Sequence, residues 1–323
     1  MMDLQLMKRL SRTSSLRQAG VALLVIIVGL TSINGPTTTT PSASFSPTTT
    51  SVQQQIKKHI NRTQFLEPID CSNIPIDTEP HYSIAEFTLY NKTAVVDYPP
   101  WSAGKDGKKV FDENNGGLYH QILDVDQDEI FIDVGANIGQ MAMVGLVSEV
   151  TTFAFDPLEY DIMKICSGVK ETVKRGHAQT IENLYLFRAL VGNESQSNVS
   201  ITRPDDAFGK FEQASLFSNT IGVARKPKSY VKEYVPMIKL DEVIPPNLPI
   251  GLVKIDVQGF EWPVVQGMRG LLERKVGYPR IVHYEEARRV TMGAGFKLGT
   301  VQRFLEGYNY TCTNLGNDIS CKK

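Results

Sequence analysis

The stretch IFIDVGANIGQM, residues 130–141, begins with an apolar run and continues into a turn with two glycines. Gly135 permits a tight turn directly after a strand, and Gly139 lets the following helix pack closely. The next residues, IGQMAMVGLVSE, have apolar positions at helical spacing. The stretch therefore predicts a strand, a glycine turn and a helix, with a ligand-binding position at the turn.

Further strand and helix patterns alternate along the chain on the carboxyl side of this unit. Such alternation predicts an α/β fold with a doubly wound, mostly parallel sheet covered by helices on both faces. A closing antiparallel hairpin is predicted at the carboxyl end, and residues 192–236 are predicted to form an insertion or hairpin. The other predicted strands have the sequences TTFAFDP, NLYLFRALVG, GLVKIDVQG and PRIVHYEE.

The charges around the turn after the first strand distinguish between classes of ligand. Backbone N–H groups at the start of the helix favour an anionic group. Asp133 would repel a pyrophosphate but would suit an ammonium group. An amino-acid moiety carries both charges, which favours S-adenosylmethionine over a dinucleotide. The third glycine of the dinucleotide motif is also absent, because Gln140 and Met141 follow Gly139.

Asp156 follows the second predicted strand and is a candidate for binding the cofactor's ribose. An acid about 20 residues beyond the glycine turn bonds ribose hydroxyls in nucleotide-binding folds. Asp156-Pro157 is equally typical of an ordinary turn that begins a helix.

Acids and a histidine follow the later strands. Lys254 and Asp256 lie two residues apart and so share one face of their strand, and Glu261 lies in the first turn of the next helix. His283 and Glu285 follow the fifth strand. Asp256 is a candidate catalytic group, although Lys254 and Asp256 could instead form a structural ion pair and Glu261 could simply be a helix-start acid.

Together these segments resemble the FkbM-type methyltransferase family. The resemblance runs from about residue 110 to about residue 310 and implies a class I, seven-strand methyltransferase sheet with S-adenosylmethionine as the donor, usually for O-methylation. It places the adenine near Arg188 and Ala189. The matching segments are FIDVGANIGQ, AFDP, RALVGN, IKLDEV and, most distinctively, VKIDVQGFEWPVVQGM. The residues implied to hold the methionine end are Asp133, Gly135, Ala136, Asn137 and Gly139, with Asp156 on the ribose.

The expected reaction is methyl transfer to a hydroxyl group of a glycan or small metabolite. The hydroxyl must lose a proton, and a positioned carboxylate can accept it. We expect Asp256 to be this base or to orient the acceptor, with Glu261 or Glu285 assisting. No metal site is predicted for this chemistry.

The N-terminus predicts a single membrane helix with a luminal domain behind it. The basic residues Lys8, Arg9, Arg12 and Arg17 precede the uncharged run 19–33, and such a flank stays cytoplasmic. The run is short for a spanning helix, so a cleaved signal peptide is the alternative. The predicted organisation is a cytoplasmic tail (1–17), a signal-anchor (18–34), a stalk and neck rich in Ser, Thr and Pro (35–80) and a luminal domain (81–323).

Sequons and cysteines are consistent with a secretory compartment such as the Golgi. Four cysteines can pair there, and Cys312 and Cys321 could staple a hairpin. That would leave Cys71 and Cys166 as a second pair or as buried thiols, and the sequence does not choose. Asn-x-Ser/Thr sequons occur at Asn61, Asn91, Asn193, Asn198 and Asn309.

The net charge argues against a nucleic-acid partner, and one further motif indicates an alternative enzyme class. The net charge is −1, and the luminal part has no basic surplus, so nucleic acid is not an expected partner. The segment Asp124-Val125-Asp126 matches the D-x-D motif of stalked glycosyltransferases, which is the alternative enzyme class. A non-catalytic binding protein on the same fold is the third alternative.

Overall fold

The computed structural model describes residues 52–60, 66–74, 83–89, 92–98, 116–179, 181–204 and 229–323. The predicted tail and signal-anchor lie outside these residues, as does most of the stalk. Within the described ranges, no helix combines the length and apolar character needed to cross a membrane.

A seven-stranded sheet forms the centre of the protein, in the order β11-β12-β10-β9-β3-β4-β5. The five strands β10, β9, β3, β4 and β5 are mutually parallel, and the hairpin β11–β12 adds to β10 in antiparallel orientation. The predicted mostly parallel sheet with a C-terminal antiparallel hairpin is confirmed. Its strands are β3 (Ile130–Val134), β4 (Thr151–Asp156), β5 (Leu184–Arg188), β9 (Ile250–Ile255), β10 (Pro279–Glu285), β11 (Thr311–Asn314) and β12 (Asp318–Lys322).

Helices cover both faces of this sheet, as the near-continuous apolar strands require. Alternate residues of β3 contribute to separate hydrophobic cores: Ile132 packs in one core and Phe131 in the other. The described helices are α1 (Val52–Ile60), α2 (Gly116–Leu123), α3 (Gln140–Val147), α4 (Glu159–Lys174), α5 (Leu240–Val243), α6 (Glu261–Gln266), α7 (Arg269–Leu272), α8 (Arg288–Gly293) and α9 (Thr300–Glu306).

A small three-stranded sheet is formed by the predicted insertion. β7 (Gln196–Pro204) and β8 (Tyr230–Ile238) pair in antiparallel orientation, and β8 also pairs with β6 (Leu190–Val191). Residues 205–228 of the insertion lie outside the described part of the chain.

The helix after β9 differs from the prediction. The segment EWPVVQGMRGLLERK suggests one helix, but the structure has two short helices, α6 and α7, on either side of Gly267. A Cβ atom at Gly267 would lie 1.8 Å from the carbonyl oxygen of Gly192. The close approach of these two backbones is a tertiary contact that helical periodicity does not reveal.

Described parts of the chain that precede the sheet pack on the domain. Ile56 and Leu66 are buried in one of the two main cores. The hairpin of β1 (Ser83–Leu89) and β2 (Lys92–Tyr98) pairs in antiparallel orientation, and β2 contacts α4, where the Val95 N–H donates to Thr172 Oγ1 over 3.0 Å.

Both cysteine pairs form disulfides. Cys71 is joined to Cys166 of α4, and Cys312 is joined to Cys321 across the β11–β12 hairpin. The first bond closes a loop with a sequence separation of 95 residues, for which loop-closure entropy predicts a stabilisation of about 4 to 5 kcal/mol. The structure thus selects one of the connectivities that the sequence left open.

A buried ion pair between Lys164 of α4 and Asp97 of β2 (3.2 Å) supports the contact between these elements. Lys164→Met is expected to lower the free energy of unfolding by about 3–5 kcal/mol, because it leaves the Asp97 carboxylate buried without its cation. Lys164→Met combined with Asp97→Leu is expected to recover most of this loss. Urea unfolding measures the effect, and the exposed Lys174→Met is the control, with a change within about 0.5 kcal/mol. Equal losses in the single and double variants would contradict the prediction.

Candidate active site

The turn after β3 has a backbone that requires glycine at two positions. Gly135 has φ of +76°, and a Cβ atom there would lie 1.9 Å from the carbonyl oxygen of Asp256. Gly139 has φ of +88°, and its Cβ would lie 2.8 Å from Cγ1 of Ile165. Gly135 therefore brings the turn against the end of β9. Gly139 allows the close approach of α4, whereas the sequence predicted close packing of the next helix, α3, against the strand.

Asp156 connects this turn to the end of β4. Its Oδ2 accepts a hydrogen bond from the Asn137 N–H (2.8 Å), and its Oδ1 accepts one from the Leu158 N–H (2.9 Å). Asn137 itself has φ of 52°, and its side chain accepts from the Ile138 N–H. Burial raises the pKa of Asp156 to about 7, although both hydrogen bonds act in the opposite direction. The carboxyl group orders two adjacent strand-end turns.

An open cleft lies beyond the carboxyl ends of β3, β4 and β9. In open α/β sheets this edge is where ligands bind. Apolar residues of the small sheet, including Leu190 and Ile201, complete one wall. The predicted site residues that line the cleft are Gly135, Asn137, Asp156, Ala189 and Asp256.

Three of the predicted cofactor residues do not line the cleft. Gly139 and Ala136 support the turn from behind, and the Ala136 N–H donates to the Phe155 carbonyl (3.0 Å). Asp133 is fully buried. The structure therefore differs from the expectation that the Asp133 carboxylate faces the ammonium group of a ligand.

Asp133 instead pairs with Lys254 of β9, whose Nζ lies 3.0 Å from Asp133 Oδ1. The same ammonium donates to the Gly135 carbonyl oxygen (2.5 Å). Burial raises the pKa of Asp133. Burial also opposes the charge on Lys254, but the carboxylates of Asp133, Asp256 and Asp156 outweigh it and raise the pKa of Lys254. A protonated lysine thus lies directly beneath the cleft.

This pairing also corrects the alternative interpretation of Lys254 and Asp256 as partners. Their spacing on one strand suggested an ion pair, but Lys254 binds across to Asp133, its register partner on β3. Asp256 is a residue of the cleft wall, and its Oδ1 accepts a hydrogen bond from Gln258.

Gln258 joins two of the candidate catalytic acids, and sequence reasoning gave it no role. Its Nε2 donates to Asp256 Oδ1 (3.0 Å) and to Glu285 Oε2 (3.2 Å). Burial, followed by the nearby charges of Asp256, Glu261 and Asp318, raises the pKa of Glu285 to about 8. The available signal was the position of Gln258 in IDVQG, between the acid and the glycine.

Glu261 shapes the turn after β9 and does not line the cleft. Its Oε1 accepts hydrogen bonds from the N–H groups of Gly259 (3.0 Å) and Val257 (3.3 Å). The carboxyl is buried, and burial raises its pKa to about 7. This geometry matches the structural interpretation of a helix-start acid better than direct contact with an acceptor.

His283 is buried beside Lys254, its register partner on β9. Its Nε2 lies 4.0 Å from Asp318 Oδ2. Burial and the Lys254 charge lower the pKa of His283 to about 4, so the ring is neutral at neutral pH. It does not line the cleft.

The D-x-D segment lies at the opposite edge of the sheet from the cleft. Asp124 and Asp126 precede the amino end of β3. Arg280 donates to the Asp124 carbonyl (3.0 Å) and forms a two-pronged ion pair with Glu129. These contacts give the segment a structural role at the amino edge.

The raised pKa of Glu285 predicts a pH dependence of stability. Below its ordinary pKa of 4.5 both states hold the proton, whereas between about pH 5 and pH 8 only the folded state holds it. The stabilisation that Glu285 contributes to the folded state therefore falls as pH rises from about 5 and is lost above about 8. Glu285→Gln is expected to flatten this decline in the free energy of unfolding. Urea unfolding across this range measures it, with the exposed Glu67→Gln as control. Parallel profiles for wild type and Glu285→Gln would contradict the prediction.

Comparison with known proteins identifies the family. The model of the methyltransferase FkbM domain matches residues 133–312, more than half of the chain. A search of curated proteins found no match.

Among solved structures, the chain is similar to methyltransferase FkbM from Methylobacillus flagellatus KT, with 13% identity and a TM-score of 0.39 over 64% of this chain. It covers 50% of that bacterial protein. A putative rRNA methylase from Clostridium thermocellum has 11% identity and a TM-score of 0.37, over 66% of this chain and 97% of its own. The match to the family model confirms the resemblance noted in the sequence: the chain belongs to the FkbM methyltransferase domain family.

Proposed function

We propose that the protein transfers a methyl group from S-adenosylmethionine to a hydroxyl group of a glycan or small metabolite in the secretory lumen. Membership of the methyltransferase FkbM family supports the reaction class. The observation that carries the proposal is the cleft at the carboxyl edge of the sheet, where the Gly135 turn, Asp156 and Asp256 meet.

The residues of the cleft fit this cofactor. Gly135 and Asn137 line the cleft at the turn after β3, which is where the methionine end would lie. Asp156 borders the cleft where a ribose would lie, and Ala189 with its apolar neighbours suits an adenine ring. The acids favour a ligand with net positive charge, and a sulfonium supplies that charge together with an already activated methyl group.

The protein's own part in the reaction is alignment and proton removal. Holding the acceptor oxygen in line with the methyl carbon can contribute about 7–11 kcal/mol. Asp256 is our candidate for the proton acceptor, because it is the catalytic candidate that lines the cleft. Proton transfer to a positioned base contributes about 10²–10⁴-fold. Gln258 orients Asp256 through its amide and ties it to Glu285.

The proposed location rests on the N-terminal sequence and on the two disulfide bonds of the domain. A basic flank before an apolar run, followed by a stalk, is typical of a single-pass type II membrane protein. The two disulfides suit an oxidising compartment such as the Golgi lumen. Glycans are abundant hydroxyl-bearing acceptors there, which is why we favour them, and the net charge of −1 gives no support for a nucleic-acid substrate.

Asp156→Asn is expected to weaken S-adenosylmethionine binding by about 10- to 100-fold, because a hydrogen bond to a charged group contributes about 1.5–3 kcal/mol. Isothermal titration calorimetry on the wild type and the variant measures this. Asp124→Asn, at the opposite edge of the sheet, is the matched control and should bind as wild type. If the wild type binds no S-adenosylmethionine, the proposed function is wrong.

Asp256→Asn is expected to abolish methyl transfer while leaving cofactor affinity largely intact, because the amide cannot accept the proton. The measurement is incubation with labelled donor and a panel of glycans, followed by mass spectrometry for the added methyl group. Glu67→Gln serves as the exposed-acid control. Wild-type turnover in Asp256→Asn would exclude Asp256 as the base.

A further inference from the structure

The outer face of the small sheet exposes two aromatic side chains on β8. Tyr230 is 50% exposed and Tyr234 is 60% exposed. Successive residues of a strand point to opposite faces, so these tyrosines share a face with Lys232, whereas Val235 and Met237 are buried on the other face. We refer to the surface of Tyr230, Lys232 and Tyr234 as the tyrosine face.

A glycosylation sequon lies on the neighbouring strand and on this same face. Asn198 and Ser200, the first and last residues of the sequon, are both on β7, and Ser200 is the register partner of Tyr234. Asn198 precedes Ser200 by two residues, so it lies close to Tyr234 at the end of the regular pairing. Its side chain is exposed.

A β-bulge lies at this position. The register of β7 against β8 shifts between Gln196 and Val199. On β8 the shift coincides with Pro236, which has no N–H group to donate to the ladder. Bulges bend a strand and re-aim its side chains. At Asn198 the irregular backbone and the exposed side chain leave room for a bulky attachment.

We propose that Asn198 carries an N-linked glycan whose first sugars pack against Tyr234 on the tyrosine face. In the covalent step, the amide nitrogen of Asn198 bonds to the anomeric carbon of a lipid-diphosphate oligosaccharide. The C–O bond to the diphosphate breaks, and the amide releases one proton. The inference rests on the luminal location proposed above but not on methyl transfer.

The physical basis of the packing is the apolar surface of Tyr234. The C–H face of a sugar ring can stack on an aromatic ring and cover surface that is otherwise exposed to water. Tyr230 lies four residues further along β8, beyond the reach of the first sugars. The serine of the Asn193 sequon lies beside an acid, whereas Ser200 of the Asn198 sequon lies beside Tyr234. Ser195 Oγ donates a hydrogen bond to Glu242 Oε2 (2.5 Å).

The attachment is tested by expressing the full chain in cultured animal cells and identifying glycopeptides by mass spectrometry. Wild type is expected to carry a glycan at Asn198. Ser200→Ala, which keeps Asn198 but removes the sequon, is expected to lose it completely, and the neighbouring Ser197→Ala is expected to retain it. An unmodified Asn198 beside a modified Asn193 or Asn309 overturns this inference alone. If no sequon is modified, the inference and the luminal location are both overturned, whereas cofactor binding is tested separately.

The packing is tested by thermal unfolding before and after enzymatic removal of the glycans. Tyr234→Ala is expected to lower the Tm of the glycosylated protein by about 2–4 °C more than that of the deglycosylated protein. Tyr230→Ala is the matched control, with no such difference. An equal effect of Tyr234→Ala in both forms would overturn the contact with the glycan.

Discussion

The ion pair between Asp133 and Lys254 is the interaction on which the geometry of the cleft depends. It joins β3 to β9 in the middle of the sheet, and the same ammonium holds the Gly135 carbonyl. Removing two charges from water is costly, and the attraction between the two groups in the protein interior offsets this cost. Here the pair determines where the turn lies relative to Asp256, and so determines the shape of the cleft.

Electrostatic asymmetry is the second feature of the site. Lys254 lies beneath the cleft, and the surrounding carboxyl groups outnumber it. Burial raises the pKa of Asp156, and burial together with repulsion by neighbouring acids raises the pKa of Glu285. A cleft of this kind suits a positively charged ligand and can hold a proton near neutral pH. Such prearranged charges act without reorganisation during a reaction.

Much of the fold and part of the site could be predicted because the relevant signals are local. Near-continuous apolar runs identified the strands, and glycines after a strand identified the turn at Gly135. The direction of Asp133 could not be predicted, because its partner Lys254 is remote in sequence and becomes a neighbour only when β3 and β9 pair. Gln258 was missed for a similar reason, since Glu285 belongs to another strand.

By itself, the sequence determined the order of strands and helices, the glycine turn, the acids that follow the strands and the family resemblance. These features follow from short-range periodicity and backbone conformation. Only the tertiary structure decided which acids line the cleft, which support it from behind, how the cysteines pair and which sequon lies beside an exposed tyrosine. Each of these depends on strand register, which brings together residues that are far apart along the chain.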